Sequence, residues 1–133
     1  VKQVELDEVF KTADFVSLHT PLSEETIGMV NNDFISNFSK PFVFINSARG
    51  KSVILEDLVA ALESGKITGA CLDVLEIESS SFENVEVNSN KYFQSLIQME
   101  NVILSPHIAG WSQESKVKMA EFLIAKIHKS LLR

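Results

Sequence analysis

Short apolar runs alternate with stretches of helical spacing along this chain. Residues 15–18 (Phe-Val-Ser-Leu) read as a strand that stops at His19, Thr20 and Pro21, because proline cannot donate to a ladder and biases the residue before it toward extended geometry. A short helix is expected over residues 32–38. Residues 42–45 are apolar on both faces, as a strand buried between helix layers must be, and lead into Asn46, Ser47, Ala48, Arg49 and Gly50. Ile54, Leu58, Ala61 and Leu62 then recur at helical spacing before Gly65, a residue suited to the position just past a helix end. Residues 67–74 and 102–104 read as the third and fourth strands, the fourth ending at Ser105, Pro106 and His107. From Ser112, an N-cap residue, Val117, Ala120, Leu123, Ile124, Ile127 and Leu131 form one stripe with lysines opposite.

This alternation predicts an α/β fold, a parallel sheet with helices packed on both faces. Residues 76–101 break the rhythm. They are rich in Ser, Asn and Glu and read as a long surface connection with one helical turn near residues 92–97.

Composition narrows the function classes. The 133 residues carry a formal net charge of -6, which repels phosphate backbones and argues against a nucleic-acid partner. The basic residues from Lys116 through Lys118, Lys126 and Lys129 to Arg133 are interleaved with Glu114 and Glu121 and read as the solvated side of a helix. Cys71 is the single cysteine, so no intrachain disulfide can form, and its apolar surroundings predict a small buried hydrophobe. No stretch resembles a signal peptide or is apolar over a membrane-spanning length, so a cytoplasmic protein without membrane contact is expected. The first residue is Val1 rather than methionine, in mid-pattern, which suggests a fragment.

In an open parallel sheet, ligands bind beyond the carboxyl ends of the strands. The polar residues that terminate the apolar runs are therefore candidates: His19 and Thr20, Ser47 to Arg49, Asp73 with Glu78 beyond it, and His107. Arg49 offers a planar fork of donors able to hold a carboxylate bidentately. His107 can take or give a proton near neutrality. A carboxylate such as Glu78 beside that imidazole would fix its tautomer and favour the imidazolium. Together these groups suit oxidation of a hydroxyl next to a carboxylate. Taken singly, each has an ordinary structural reading: a surface salt bridge for Arg49, a turn for His107, a solvated loop carboxylate for Glu78, and bonds to nearby amides for Asp73.

Four segments carry a resemblance. His19-Thr20-Pro21-Leu22 with Thr26, Gly28 and Asn31, then Asn46-Ser47-Ala48-Arg49-Gly50, then Gly69-Ala70-Cys71-Leu72-Asp73-Val74 with Glu78, and finally the run from Asn101 through Pro106 and His107 to Gly110, occur in this order. In that order and spacing the chain resembles the D-isomer-specific 2-hydroxyacid dehydrogenases, and the match covers nearly all of it. The resemblance implies a partial Rossmann-type sheet, the C-terminal portion of an NAD-binding domain over residues 1–133. It implies Arg49 as the clamp on the substrate carboxylate and carbonyl, His107 as acid and base, and Glu78 as the histidine's partner. Thr20, Ser47, Ala48, Arg49, Asp73, His107, Ile108, Ala109 and Gly110 would line the nicotinamide side of NAD. The substrate would be a 2-hydroxyacid or 2-oxoacid, with 3-phosphoglycerate as the first expectation, and the full-length form a homodimer. No metal site is expected.

Departures from the family pattern matter as well. Ser79 stands where proline usually follows the glutamate, and Ile54 stands at a helix start that is usually acidic, with Ser52 as the expected substitute cap. Trp111 is either a wall beside the site or a packing residue against a neighbouring domain or subunit. The five glycines, Gly28, Gly50, Gly65, Gly69 and Gly110, contain no G-x-G-x-x-G turn to grip a pyrophosphate. The chain alone is therefore expected to bind NAD weakly and to turn over no substrate. Besides an enzyme fragment, an NAD-sensing regulatory module and a purely structural domain stand as alternatives.

Overall fold

A computed structural model describes residues 2–77 and 90–131. Four strands, β1 (Phe15–Leu18), β2 (Phe42–Asn46), β3 (Ile67–Leu72) and β4 (Val102–Leu104), pair in parallel in the spatial order 1-2-3-4. The helices are α1 (Leu6–Thr12), α2 (Asn32–Ser36), α3 (Leu55–Glu63), α4 (Lys91–Leu96) and α5 (Gln113–Leu131), with a single 3-10 turn at Gly50–Ser52. The expected parallel α/β sheet is therefore present. The short helix α1 escapes the periodicity reading because it buries no residue fully, although its Phe10 stands edge-on to Phe34 and Phe38, with ring centroids 5.3 and 5.0 Å apart.

Each connection steps to the next strand in the same direction. Right-handed crossovers of this kind place their helices on one side. The burial follows suit. Val16, Leu18, Phe42, Phe44, Ile67, Ala70 and Leu72 turn into a core closed by Ile35, Leu55, Leu58, Val59, Leu62 and Leu96 from α2, α3 and α4. On the other face Phe15 is 70% and Ile103 65% exposed. Among the described residues, α1 to α4 thus cover one face, and the helix layer expected on the second face is not seen. Cys71, expected inside, is half-buried there, because along β3 its side chain alternates with those of Ala70 and Leu72.

Local signals explain the element ends. Gly65 takes a φ of 75° just past α3, the left-handed position that glycine adopts without a Cβ penalty. The Ser112 hydroxyl accepts from the Ser115 amide at 3.0 Å and caps α5 as expected. The cap of α3 is a correction. Ser52 is fully buried and its hydroxyl has no hydrogen-bond partner among the described residues, whereas the Leu55 amide donates to Glu76 Oε2 at 2.8 Å from beyond β3. The stripe on α5 is a second correction. The helix forms over the expected residues, but Val117, Leu123, Ile124 and Ile127 are exposed, and none of its residues is buried.

Candidate active site

Strand register places the candidate residues on one rim. Leu18, Asn46, Leu72 and Leu104 pair across the four strands, so all four carboxyl ends fall in a single row. Thr20, Arg49, Asp73 and His107 leave the sheet immediately beyond that row. With strands spaced at about 4.8 Å, the ends bearing Arg49 and His107 stand roughly 10 Å apart, with the end of β3 between them. Glu78, the expected partner of His107, lies outside the described residues.

The turn after β2 is built by Asn46. Its Oδ1 accepts from the Ala48 amide at 3.0 Å, and its Nδ2 donates to the Arg49 carbonyl at 3.0 Å. Ala48 is buried, Ser47 half-buried and Arg49 exposed, with Arg49 Nη1 donating to the Ala48 carbonyl at 2.7 Å. Gly50 follows because nothing larger fits: an added Cβ would lie 2.0 Å from the Leu75 carbonyl oxygen. The segment after β1 braces this turn from the other side. Gly28 and Val30 donate to the carbonyls of Lys51 and Ser52, and Ile54 donates to that of Val30. Thr26 and Asn31, which stood in the first motif, serve the same frame: Thr26 bonds Ser23 and Pro21, and Asn31 caps α2 through the Phe34 amide.

The loop after β4 is built by Asp73. The Asp73 carboxylate, on a residue only 6% exposed, accepts from the Ser105 hydroxyl at 2.6 Å and from the amides of Ile108 and Ala109 at 2.8 and 2.9 Å. The Asp73 carbonyl accepts from the His107 amide at 2.9 Å. Burial by itself raises the Asp73 carboxyl, but the bonds from Ser105, Ala109 and Ile108 and the nearby His107 outweigh it and hold it below its ordinary value. His107 is half-buried with a φ of 54°, a left-handed backbone uncommon outside glycine. Asp73 was expected to line a cofactor; among the described residues its oxygens bond the loop that carries His107.

The remaining candidates lie on the same rim. Ile108, Ala109 and Gly110 are exposed, and a Cβ added at Gly110 would meet nothing within 4 Å. Thr20 Oγ1 is buried without a hydrogen-bond partner among the described residues, a hydroxyl free to serve a ligand. An unpartnered hydroxyl and an open backbone edge at the same rim fit the polar groups of a nicotinamide nucleotide. Trp111 is exposed, with Lys116 Nζ 5.9 Å from its ring centroid. Among the described residues no group of three or more metal-ligating side chains converges. Asn46 and Ser105 are the working residues that sequence reasoning passed over. The signal was present, since an Asn at the end of an apolar run readily bonds the backbone two residues on.

Residues 1–109 match the model of the D-isomer specific 2-hydroxyacid dehydrogenase, NAD binding domain family. The chain belongs to this family. A hydroxypyruvate reductase from Thermotoga maritima is 34% identical over 131 residues, spanning 98% of this chain and 40% of that protein. A glyoxylate reductase from Korarchaeum cryptofilum is 37% identical over 123 residues, covering 92% of this chain and 34% of its own length. Among solved structures, a D-lactate dehydrogenase with NAD+ from Lactobacillus jensenii superposes with a TM-score of 0.76 at 35% identity, over 89% of this chain and 36% of that one. The chain thus spans 40% or less of the length of these relatives. The family is one of NAD-dependent oxidoreductases of 2-hydroxyacids and 2-oxoacids, and this Rossmann-like dehydrogenase domain takes NAD as its cofactor.

Proposed function

We propose that this dehydrogenase domain is the nicotinamide-side part of a longer enzyme that interconverts a small 2-oxoacid and its D-2-hydroxyacid. The observation that carries this reading is the common register of the strand ends, which sets Arg49 and His107 on one rim with Asp73 between them. The exposed guanidinium of Arg49 binds the substrate carboxylate and the neighbouring carbonyl oxygen through its paired donors. His107 gives a proton to that oxygen during reduction and removes it during oxidation. Glu78 is assigned as the carboxylate that orients the imidazole. Bound NAD supplies the hydride acceptor, and the reduced form the donor. Thr20, Ser47, Ala48 and the exposed edge at residues 108–110 hold the nicotinamide end.

The relatives' names favour an unphosphorylated acid such as hydroxypyruvate, glyoxylate or lactate, so the first expectation of 3-phosphoglycerate finds no support in them. In this reading the pyrophosphate grip belongs to another part of the longer protein, which we take to be a cytoplasmic homodimer. The deciding experiment is His107→Ala in that protein, followed by NADH oxidation with glyoxylate or hydroxypyruvate. A fall of at least about a hundredfold in kcat is expected; near-normal turnover overturns the reading.

A further inference from the structure

Arg49 and His107 stand on different strands, so their relative placement has to be transmitted through the sheet. The structure shows one continuous hydrogen-bonded route between them. The buried Asn46 grips the Arg49 turn with both atoms of its amide, one accepting from Ala48 and one donating to Arg49. The Asn46 carbonyl accepts from the Asp73 amide at 2.9 Å. Asp73 then grips the His107 loop with its carbonyl and both carboxylate oxygens. Asn46 is 1% and Asp73 6% exposed, so neither is spending these groups on solvent. Strand pairing alone would have required the Asn46 carbonyl and the two main-chain groups of Asp73. It would not have required a side chain whose donor and acceptor are matched to the turn that carries the guanidinium, nor a carboxylate matched to three donors on the loop that carries the imidazole.

We propose that Asn46 and Asp73 are the positioning residues of this site, Asn46 setting Arg49 and Asp73 setting His107, with their mutual backbone bond tying the two placements together. Neither touches substrate in this scheme. The proposal rests on the dehydrogenase reading above. It adds a division of labour: disturbing Asn46 moves the group that binds the acid, and disturbing Asp73 moves the group that handles the proton.

Isosteric exchanges in the full-length protein test it. Asn46→Asp leaves the shape but sets an acceptor against the Arg49 carbonyl, so the KM for the 2-oxoacid should rise about tenfold or more with kcat little changed. Asp73→Asn turns an acceptor into a donor that opposes one of the three donors on the His107 loop, so kcat should fall by about tenfold to a hundredfold, with the KM for the acid little changed. A purely structural role would lower stability and active fraction, which reduces apparent kcat and leaves KM unchanged in both variants alike. With kcat taken per folded molecule, the KM rise in Asn46→Asp and a residual kcat fall in Asp73→Asn are a split that such a role does not produce. If either variant fails to fold, Asn46→Ser, which can still accept from Ala48 but cannot reach the Arg49 carbonyl, and Ser105→Ala, which removes one donor to Asp73, take their places with the same split at smaller amplitude. Arg49→Lys and His107→Ala run alongside. If those two retain normal activity, the dehydrogenase reading has failed. If they lose it while the Asn46 and Asp73 exchanges keep wild-type kcat and KM, the positioning proposal alone is overturned.

Discussion

The two faces of the sheet are built from the same strands and behave as different materials. On one, Val16, Leu18, Phe42, Phe44, Ile67, Ala70 and Leu72 are buried under α1 to α4 in a single hydrophobic cluster. On the other, Phe15 and Ile103 stand open to solvent and Val43, Ile45 and Cys71 are half-covered. A strand places alternate residues on opposite faces, so one-residue steps along β2 and β3 move a side chain between these regimes. Hydrophobicity is therefore a poor guide to what each residue contributes here, and the position of the helices is a good one.

This contrast can be broken at several points. Phe44→Ala, at a fully buried position, should cost about 3–5 kcal/mol in chemical denaturation, through lost burial and the cavity left behind. Gly50→Ala should cost about 1–3 kcal/mol, since the new methyl meets the Leu75 backbone and something must shift. Asp73 adds a pH-dependent increment. Its folded pKa is lowered, so it stabilises the fold above the usual carboxylate range, and that contribution is lost as pH falls through the lowered value. Denaturation midpoints measured between pH 7 and pH 3 should show a decline below about pH 4 that is shallower in Asp73→Asn. Phe15→Ser on the open face should change stability by no more than about 0.5 kcal/mol. A cost comparable to that of Phe44→Ala would mean that the open face is covered in solution, by another copy of the chain or by α5.

The alternation of apolar runs was enough to place all four strands to within one or two residues, and Gly65 and Ser112 marked their helix ends by local chemistry alone. The misses share a cause. Helix α1 is short and half-buried, so it leaves little periodicity to read. The α3 cap was sought in the neighbouring Ser52 and is supplied by Glu76, twenty-one residues beyond the Leu55 amide it accepts from. The stripe on α5 looked like a core-facing surface, because a pattern records which side is apolar and says nothing about whether a partner lies against it. At the site, Arg49 and His107 could be nominated by residue type and position. The turn built by Asn46 was legible too, since its side-chain partners lie two and three residues on; the role of Ser105 was not, because its acceptor Asp73 stands at the end of another strand.

Local order, then, was settled by the chain itself: strand after strand, each closing on a polar group, with turn residues where backbone sterics demand them. Which polar groups meet was settled only by pairing. Register aligned Leu18, Asn46, Leu72 and Leu104 in one row, and that alignment turned four separate endings into one rim. The direction in which Asp73 faces belongs to the same level. A carboxylate at a strand end takes whatever donors reach it, and it was the arrival of Ser105, Ile108 and Ala109 from beyond β4, more than thirty residues later, that gave it its partners in the protein.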